Sequence, residues 1–219
     1  MHRFVSTLLA EDWVERSPHS GYQLSIKFLA MGHVANQQRD FVSEIRPELL
    51  RLSQLSRETV HVAILDGVDV VHIDKIESLE RVGVSSRIGT RAVIHRTSLG
   101  KAFVAAMPDD EIRALVAEAN RRGGDALIED ESGFWVEIRR TRERGYSLDD
   151  EEDSTGVRCM GVAVRGPSGS PLLSVSVTGP SPRFTRAMCT RLAPELIRSG
   201  ERMSALFGYT PSALEPQIA

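Results

Sequence analysis

Apolar and polar positions along this chain follow two different periods, and the changes of period mark its elements. Phe4, Leu8 and Leu9 recur at helical spacing near the start, because side chains three and four apart share one face of a helix. Trp13-Val14-Glu15-Arg16 and Tyr22-Gln23-Leu24-Ser25 then flank Ser17-Pro18-His19-Ser20-Gly21, which predicts strand, Pro/Gly turn and strand in a hairpin. From Ile26 to about Ile45, Phe28, Leu29 and Val34 with the polar tail 36–40 predict a linking helix. Pro47 then opens a new helix carrying Leu49, Leu52 and Leu55 on one stripe.

Beyond residue 58 the period shortens. Val60, Val62 and Ile64 alternate as a strand, Asp66-Gly67 is a hairpin turn, and the return strand is Val70 to Ile76. Residues 78–92 read as a polar loop with Arg81, Arg87 and Arg91. Thr97 or Ser98 caps a helix through Gly100 to Ala106, and Pro108-Asp109-Asp110-Glu111 opens another to about Ala119. Glu131 to Arg144 is amphipathic, with Phe134, Val136 and Ile138 as its apolar positions, and Gly145 stops it. Strands follow at about 157–165 and 171–178, joined by Gly166-Pro167-Ser168-Gly169. A last helix spans roughly 184–207, bent or started late at Pro194. The pattern predicts an α/β (α+β) domain with a mostly antiparallel sheet flanked by helices. The helix and hairpin before it match the back half of a winged helix-turn-helix.

Composition narrows the classes of function. The chain has 219 residues, enough for one sizeable core beside a small one, and a formal net charge of -3. Contact with nucleic acid would therefore be local, not a property of the whole surface. Two cysteines, Cys159 and Cys189, make no disulfide framework and point to a reducing compartment. No apolar run reaches the ~18 residues that span a bilayer. A cytoplasmic protein with no membrane partner is expected. The lysines are Lys27, Lys75 and Lys101, and the rest of the 27 basic residues are arginines, a bias that reflects coding composition and carries no function here.

The candidate chemistry lies between Gly145 and Phe184. Ser174, Ser176 and Thr178 recur at every second position, so the three hydroxyls share one face of a strand while Val175 and Val177 take the other. With Cys159 on the neighbouring run, they would line a small polar pocket. Edge-strand hydroxyls facing water fit the same spacing. The acidic run Asp149-Asp150-Glu151-Glu152-Asp153 precedes them. Like-charge runs are usually solvated, and Asp150, Glu151 and Asp153 are read that way.

Five segments in order give the chain a resemblance to the IclR-type bacterial transcription factors. They are Gly21-Tyr22-Gln23-Leu24; Glu58-Thr59-Val60-His61-Val62; Ile88-Gly89 leading to His95 and Gly100-Lys101-Ala102; Gly145-Tyr146 with Asp149-Asp150-Glu151-Glu152; and Gly156-Val157-Arg158-Cys159 running on to Thr178-Gly179-Pro180. The resemblance covers nearly the whole chain. It implies a GAF-like effector-binding domain at about 47–210, a linker helix at 31–46, part of a winged helix-turn-helix at 1–30 and a tail at 211–219. It also implies a transcriptional regulator that senses a small organic acid, works as a homodimer or tetramer and binds operator DNA; no catalytic residue or cofactor is expected, and no metal, since His61, His72 and His95 show no metal-ligand spacing with carboxylates or cysteines.

The family's effector pocket carries over by position. Asp149 and Cys159 match its Asp and Cys, ten positions apart, and Ser176 and Thr178 match its two strand hydroxyls. Ser98, Leu99 and Gly100 match the small residues at the helix start, whose backbone N–H groups face an anionic ligand. Val84 would close the apolar side. Leu99 is bulkier than the Gly or Ala usual there. Arg81, at a position usually apolar, is read as swinging outward.

Cys159 as a nucleophile needs a neighbouring base or cation, and none of His2, His19, His33, His61, His72 and His95 pairs with it in sequence. A small thiol enzyme on a GAF-like scaffold, and a ligand-binding module that never touches DNA, are the alternative readings. For DNA the candidates are Arg3, Ser6, Arg16, His19 and Ser20. By the resemblance the chain opens inside the recognition helix, with Met1 where the family has Val, as if an internal valine codon were read as the start. Weak or absent specific DNA binding is the expectation.

Overall fold

A computed structural model describes residues 2–17, 21–28, 30–31, 41–84 and 86–211. The chain divides into two compact units, Met1–Glu44 and Ile45–Ala219. The first holds helix α1 (His2–Ala10) and the antiparallel pair β1 (Val14–Arg16) and β2 (Tyr22–Leu24). Trp13 anchors it, its N–H donating to the Leu8 carbonyl at 2.8 Å and its ring meeting Phe28 edge-on at 5.4 Å. Of the predicted linking helix, residues 26–28 and 30–31 are helical, whereas residues 29 and 32–40 lie outside the described residues.

Helix α2 (Phe41–Ser56) crosses the boundary between the units and runs straight through Pro47, where the sequence pattern placed a new start. Pro47 forgoes one backbone hydrogen bond. The buried stripe Ile45, Leu49 and Leu52 carries the helix past it. The second unit then builds strands β3 (Thr59–Asp66), β4 (Asp69–Ile76) and β5 (Arg91–Val93), and helices α3 (Ser98–Ala105), α4 (Asp109–Arg122) and α5 (Glu131–Arg144). Strands β6 (Ser147–Asp150), β7 (Val157–Arg165) and β8 (Pro171–Pro180) and helix α6 (Arg186–Leu206) complete it. Thr185 caps α6, which continues through Pro194, so the helix neither starts late nor stops there.

The six strands form one antiparallel sheet in the order β5-β4-β3-β8-β7-β6. The mixed fold expected from the pattern, an antiparallel sheet flanked by helices, is the fold observed. Strand β6 was missed because its Asp150 read as part of a solvated acidic run. Strand β5 was missed because three residues are too few to show a period.

Two glycines tell which helix covers which face. A Cβ on Gly161 of β7 would lie 3.0 Å from the Ser98 carbonyl oxygen, so α3 sits directly on the Cys159/Gly161/Ala163 face. A Cβ on Gly200 of α6 would lie 3.1 Å from Val162 Cγ2, so α6 covers the opposite face. Beneath α3–α5 the core is Ala63, Val70, Ile94, Leu99, Val104, Ile112, Phe134 and Ile138.

The tightest approach to backbone is at Gly100. A Cβ there would lie 2.3 Å from Ile94 Cα and 2.6 Å from its carbonyl oxygen, with backbone on both sides. Gly100→Ala is expected to destabilise the protein by about 1–3 kcal/mol or more, read as a lowered urea midpoint at unchanged slope.

Candidate functional site

Four strands deliver polar side chains to the face beneath α3. Register places Asp149, Cys159, Thr178 and Thr59 in one row across β6, β7, β8 and β3. Two residues along, Ser147, Gly161, Ser176 and His61 form the next row. Alternation sends Val60, Val62, Val175 and Val177 to the other face, where they are fully buried. The β3–β4 pairing slips between Val62 and Ala63: Val62 opposes Asp74 but Ala63 opposes His72. This bulge leaves Ile73 as an extra residue, so His72 joins His61 on the polar face, with ring centroids 4.9 Å apart.

A cavity of about 610 Å³ opens over these rows. Helix α3 points its N-terminus at it. Gly100 donates its N–H to Thr97 Oγ1 at 3.2 Å and Lys101 donates to the Thr97 carbonyl at 3.0 Å. Ser98 and Leu99 therefore carry the N–H groups of the first turn that no intrahelical acceptor reaches. The helix is fixed from below by Ser147 Oγ, which donates to the Ser98 carbonyl at 2.6 Å. A stretch of loop closes another side. Thr59 Oγ1 donates to the Val84 carbonyl at 3.5 Å, Lys75 Nζ to the Ser86 carbonyl at 2.6 Å, and His61 Nε2 lies 2.6 Å from Ser86 Oγ.

Val84, Ser98, Leu99, Asp149, Cys159, Ser176 and Thr178, all singled out in the sequence, line this cavity. Gly100 does not; it serves the close contact with Ile94. Ser174, third in the hydroxyl series, is buried beyond the cavity with its Oγ unpartnered. Arg81 is exposed and off the cavity wall. The lining also includes His61, His72 and Arg96, which sequence reasoning left out. For His61 the signal was present, since alternation with Val60 and Val62 sets it on the other face. For His72 it was not, because nothing in the sequence marks the bulge.

The acidic run is less solvated than its composition suggests. Asp150 accepts from Arg158 Nε and from Arg186 Nε, each at 2.6 Å. Glu151 accepts the Gly156 N–H at 2.7 Å, and Asp153 lines the cavity. Glu152 binds Lys101 Nζ at 2.7 and 2.8 Å, and Lys101 is 0 % exposed. A buried ammonium needs such a partner. Charge pairing and backbone donors explain why Asp149 and Asp150 turn inward, whereas Glu151, Glu152 and Asp153 stay exposed.

Burial pushes the Asp149 carboxyl up to about 6, against N–H donation from Glu152 at 2.9 Å and the charge of Lys101. Burial, then the neighbouring charges of His72 and Lys75, holds His61 down at about 3, so its imidazole is neutral. His72 is lowered by burial as well. Burial and the Asp149 carboxylate raise the Cys159 thiol well above its usual range. A thiol nucleophile needs the opposite shift. Among the described residues no group of three His, Cys, Asp or Glu is placed to hold a metal ion.

A larger open groove of about 780 Å³ runs between α3, α5, β7 and α6. Its arginines are committed elsewhere: Arg142 to the Ala105 and Met107 carbonyls, Arg165 to those of Ala106 and Gly169, Arg202 to Glu48. In the N-terminal unit, Ser6 is exposed on α1, and Arg16 on β1 lies 5.9 Å over the Tyr22 ring. Arg3 belongs to α1, but its side chain, like all of His19 and Ser20, lies outside the described residues.

Two outcomes follow from the electrostatics. Because the Asp149 pKa is raised in the fold, the stability it contributes is present below pH 3.8 and lost as pH rises to about 6. Asp149→Asn, which does not titrate, is expected to gain about 2 kcal/mol on the wild type between pH 4 and pH 7, measured by chemical denaturation. Cys159 is expected to react with a disulfide reagent at pH 7.5 far more slowly in the folded protein than in urea.

Comparison with known proteins places these features in context. The model of the bacterial transcriptional regulator IclR C-terminal family matches residues 33–205. The HTH-type transcriptional regulator XynR of Escherichia coli strain K12 is 29% identical over 211 residues, covering 95% of this chain and 84% of that protein. The HTH-type transcriptional repressor AllR of Salmonella typhi is 30% identical over 185 residues, covering 84% of this chain and 68% of that one. Among solved structures, the Thermotoga maritima IclR superposes with a TM-score of 0.71 at 25% identity, covering 95% of this chain and 85% of that chain.

Proposed function

Because the chain belongs to the IclR family of bacterial transcriptional regulators, we propose that the cavity beneath α3 is its effector site and takes a small organic acid. One observation carries this reading: the N-terminus of α3, with the Ser98 and Leu99 N–H groups, faces a floor made of Asp149, Cys159, Ser176 and Thr178. A helix N-terminus favours an anion through its unpaired donors and the positive end of its dipole. Ser176 and Thr178 hydroxyls donate to an acid's oxygens from the sheet. Asp149, already poised to hold a proton, stays neutral beside the ligand's charge and donates to it.

The protein acts by binding, not by catalysis. Effector occupancy biases the arrangement of paired subunits and through it the DNA contacts of the N-terminal unit, where Arg3, Ser6, Arg16, His19 and Ser20 are the candidate residues. A palindromic operator requires two such units, hence a homodimer or tetramer in the cytoplasm. The N-terminal unit carries Arg3, Arg16 and Lys27 against Glu11, Asp12 and Glu15 up to residue 32, so its affinity for DNA is expected to be low.

Thermal denaturation in the presence of aliphatic and aromatic carboxylates tests the effector reading. A ligand at about a hundred times its dissociation constant adds roughly 2.7 kcal/mol. Ser176→Ala should weaken that ligand about tenfold while leaving the unliganded protein folded. Binding should also tighten as pH falls from 8 to 6, by up to about tenfold per unit, since Asp149 takes up a proton beside the anion. No shift with any carboxylate, or affinity that improves with rising pH, would sink the reading.

A further inference from the structure

One part of the cavity wall lacks the support that holds the rest. Residues 78–84, which follow β4, are neither helix nor strand, and none of them is buried. Leu79 is 53 % exposed and Val82 67 %. Yet the segment ends at Val84, which lines the cavity. Thr59, at the start of β3, is fully buried beside it and donates from Oγ1 to the Val84 carbonyl. A Cβ on Gly83 would lie 3.7 Å from the same Oγ1.

What holds the segment down is polar. At its near end the Arg57 carbonyl accepts from Ser78 Oγ at 2.9 Å and from the Leu79 N–H at 3.0 Å, and the Arg57 guanidinium pairs with Glu80. At its far end Arg183 donates from Nη2 to the Val82 carbonyl at 2.8 Å. The same guanidinium grips Glu58 through Nε at 2.6 Å and Nη2 at 2.8 Å. Glu58 is 1 % exposed and packed on Gly179, where a Cβ would lie 2.6 Å from its Cδ. Arg183 therefore has a fixed, forked seat on the sheet and one hydrogen bond to the segment.

The energetics follow from that arrangement. A stretch with no buried apolar anchor and with water-exposed hydrogen bonds opens at far lower free energy than the core. Releasing the Val82 carbonyl leaves the Glu58–Arg183 pair intact, so opening strands no buried charge. The two limbs also meet, since a Cβ on Gly83 would lie 2.9 Å from Ser78 Cβ. The segment moves as one piece.

We infer that residues 78–84 are a strap that opens and closes the cavity independently of the rest of the fold, with Arg183, seated on Glu58, as its latch. The strap governs access for any molecule that fits the cavity. Its test needs no ligand.

The measurement is thiol access in the whole chain, read by mass spectrometry after timed exposure to N-ethylmaleimide. Thr59→Cys in a Cys159→Ser background places a reporter thiol beside the strap. Cys189, buried in α6 over the opposite face, is kept as the gauge of global unfolding. The reporter should react roughly tenfold faster than Cys189 or more, at a rate nearly independent of urea below the transition, because local opening exposes little surface. Gly83→Ala forces the limbs apart without touching Glu58 or Arg183, and should raise the reporter's rate about tenfold with Cys189 unchanged. Glu58→Gln together with Arg183→Gln removes the latch without leaving a lone buried charge, and should raise that rate about tenfold as well. One common rate and one urea dependence for both thiols in all three proteins would mean that the cavity opens only by global unfolding, and the strap falls. A rate raised by Gly83→Ala but not by the paired substitution would strip Arg183 of its role and overturn the inference as stated. Neither result depends on which molecule binds, so the effector reading stands or falls by its own titrations.

Discussion

The seating of α3 against the sheet is the contact on which the rest of this molecule depends. A helix can bring its N-terminus over a sheet at backbone distance only where side chains are missing on both sides. Gly100 supplies the gap toward the Ile94 turn and Gly161 the gap toward the Ser98 carbonyl. Ser147 then ties that carbonyl to the edge of the sheet, and Lys101 reaches Glu152 beyond it. Widen any of these contacts and the Ser98 and Leu99 donors no longer face Ser176 and Thr178. The close packing and the cavity are one arrangement seen from two sides.

That arrangement explains an unusual distribution of polarity. A sheet face in a protein interior is normally apolar, and here the apolar face is the one under α6, where Val60, Val62, Val175 and Val177 lie. The face under α3 holds a thiol, hydroxyls, two imidazoles and a carboxyl. Much of this polarity is satisfied internally, by Ser86 for His61 and by the Glu152 N–H for Asp149. Among the described residues, His72 Nδ1, Arg96 Nε and Ser174 Oγ are buried without a partner, the first two on residues of the cavity wall. Polar groups left over in a packed interior are a stability cost that only a bound molecule offsets.

Much of this was legible from residue spacing. Alternation at 174–178 set the hydroxyls on one face, while the donors of Ser98 and Leu99 came from the family resemblance. Capping by Thr97 and the Gly145 stop follow from local chemistry that a linear reading captures; the caps Asp130 and Thr185 went unread. The misses share a cause. Pro47 and Pro194 read as breaks, but burial along α2 and α6 outweighed one lost hydrogen bond each. Asp150 read as solvated, because its partners Arg158 and Arg186 are brought to it by the fold. Arg96 was passed over because a turn residue has no periodicity to reveal where it points. Long-range pairing and turn geometry are properties of the folded chain.

The bulge at Ile73 bears on how such a site diversifies. Point substitutions change one lining residue at a time, each at its own cost in packing. A register slip exchanges an entire row at once, since every residue on one side of it trades faces. Strand β4 lies beside the edge of the sheet, paired outward only to the three-residue β5, so a shift there disturbs few neighbours. Without the bulge, Ala63 would oppose Ile73, and isoleucine would replace imidazole on this face. Related proteins with nearly identical linings in sequence can thus present different chemistry to their ligands, and aligning them without regard to this phase would hide the difference.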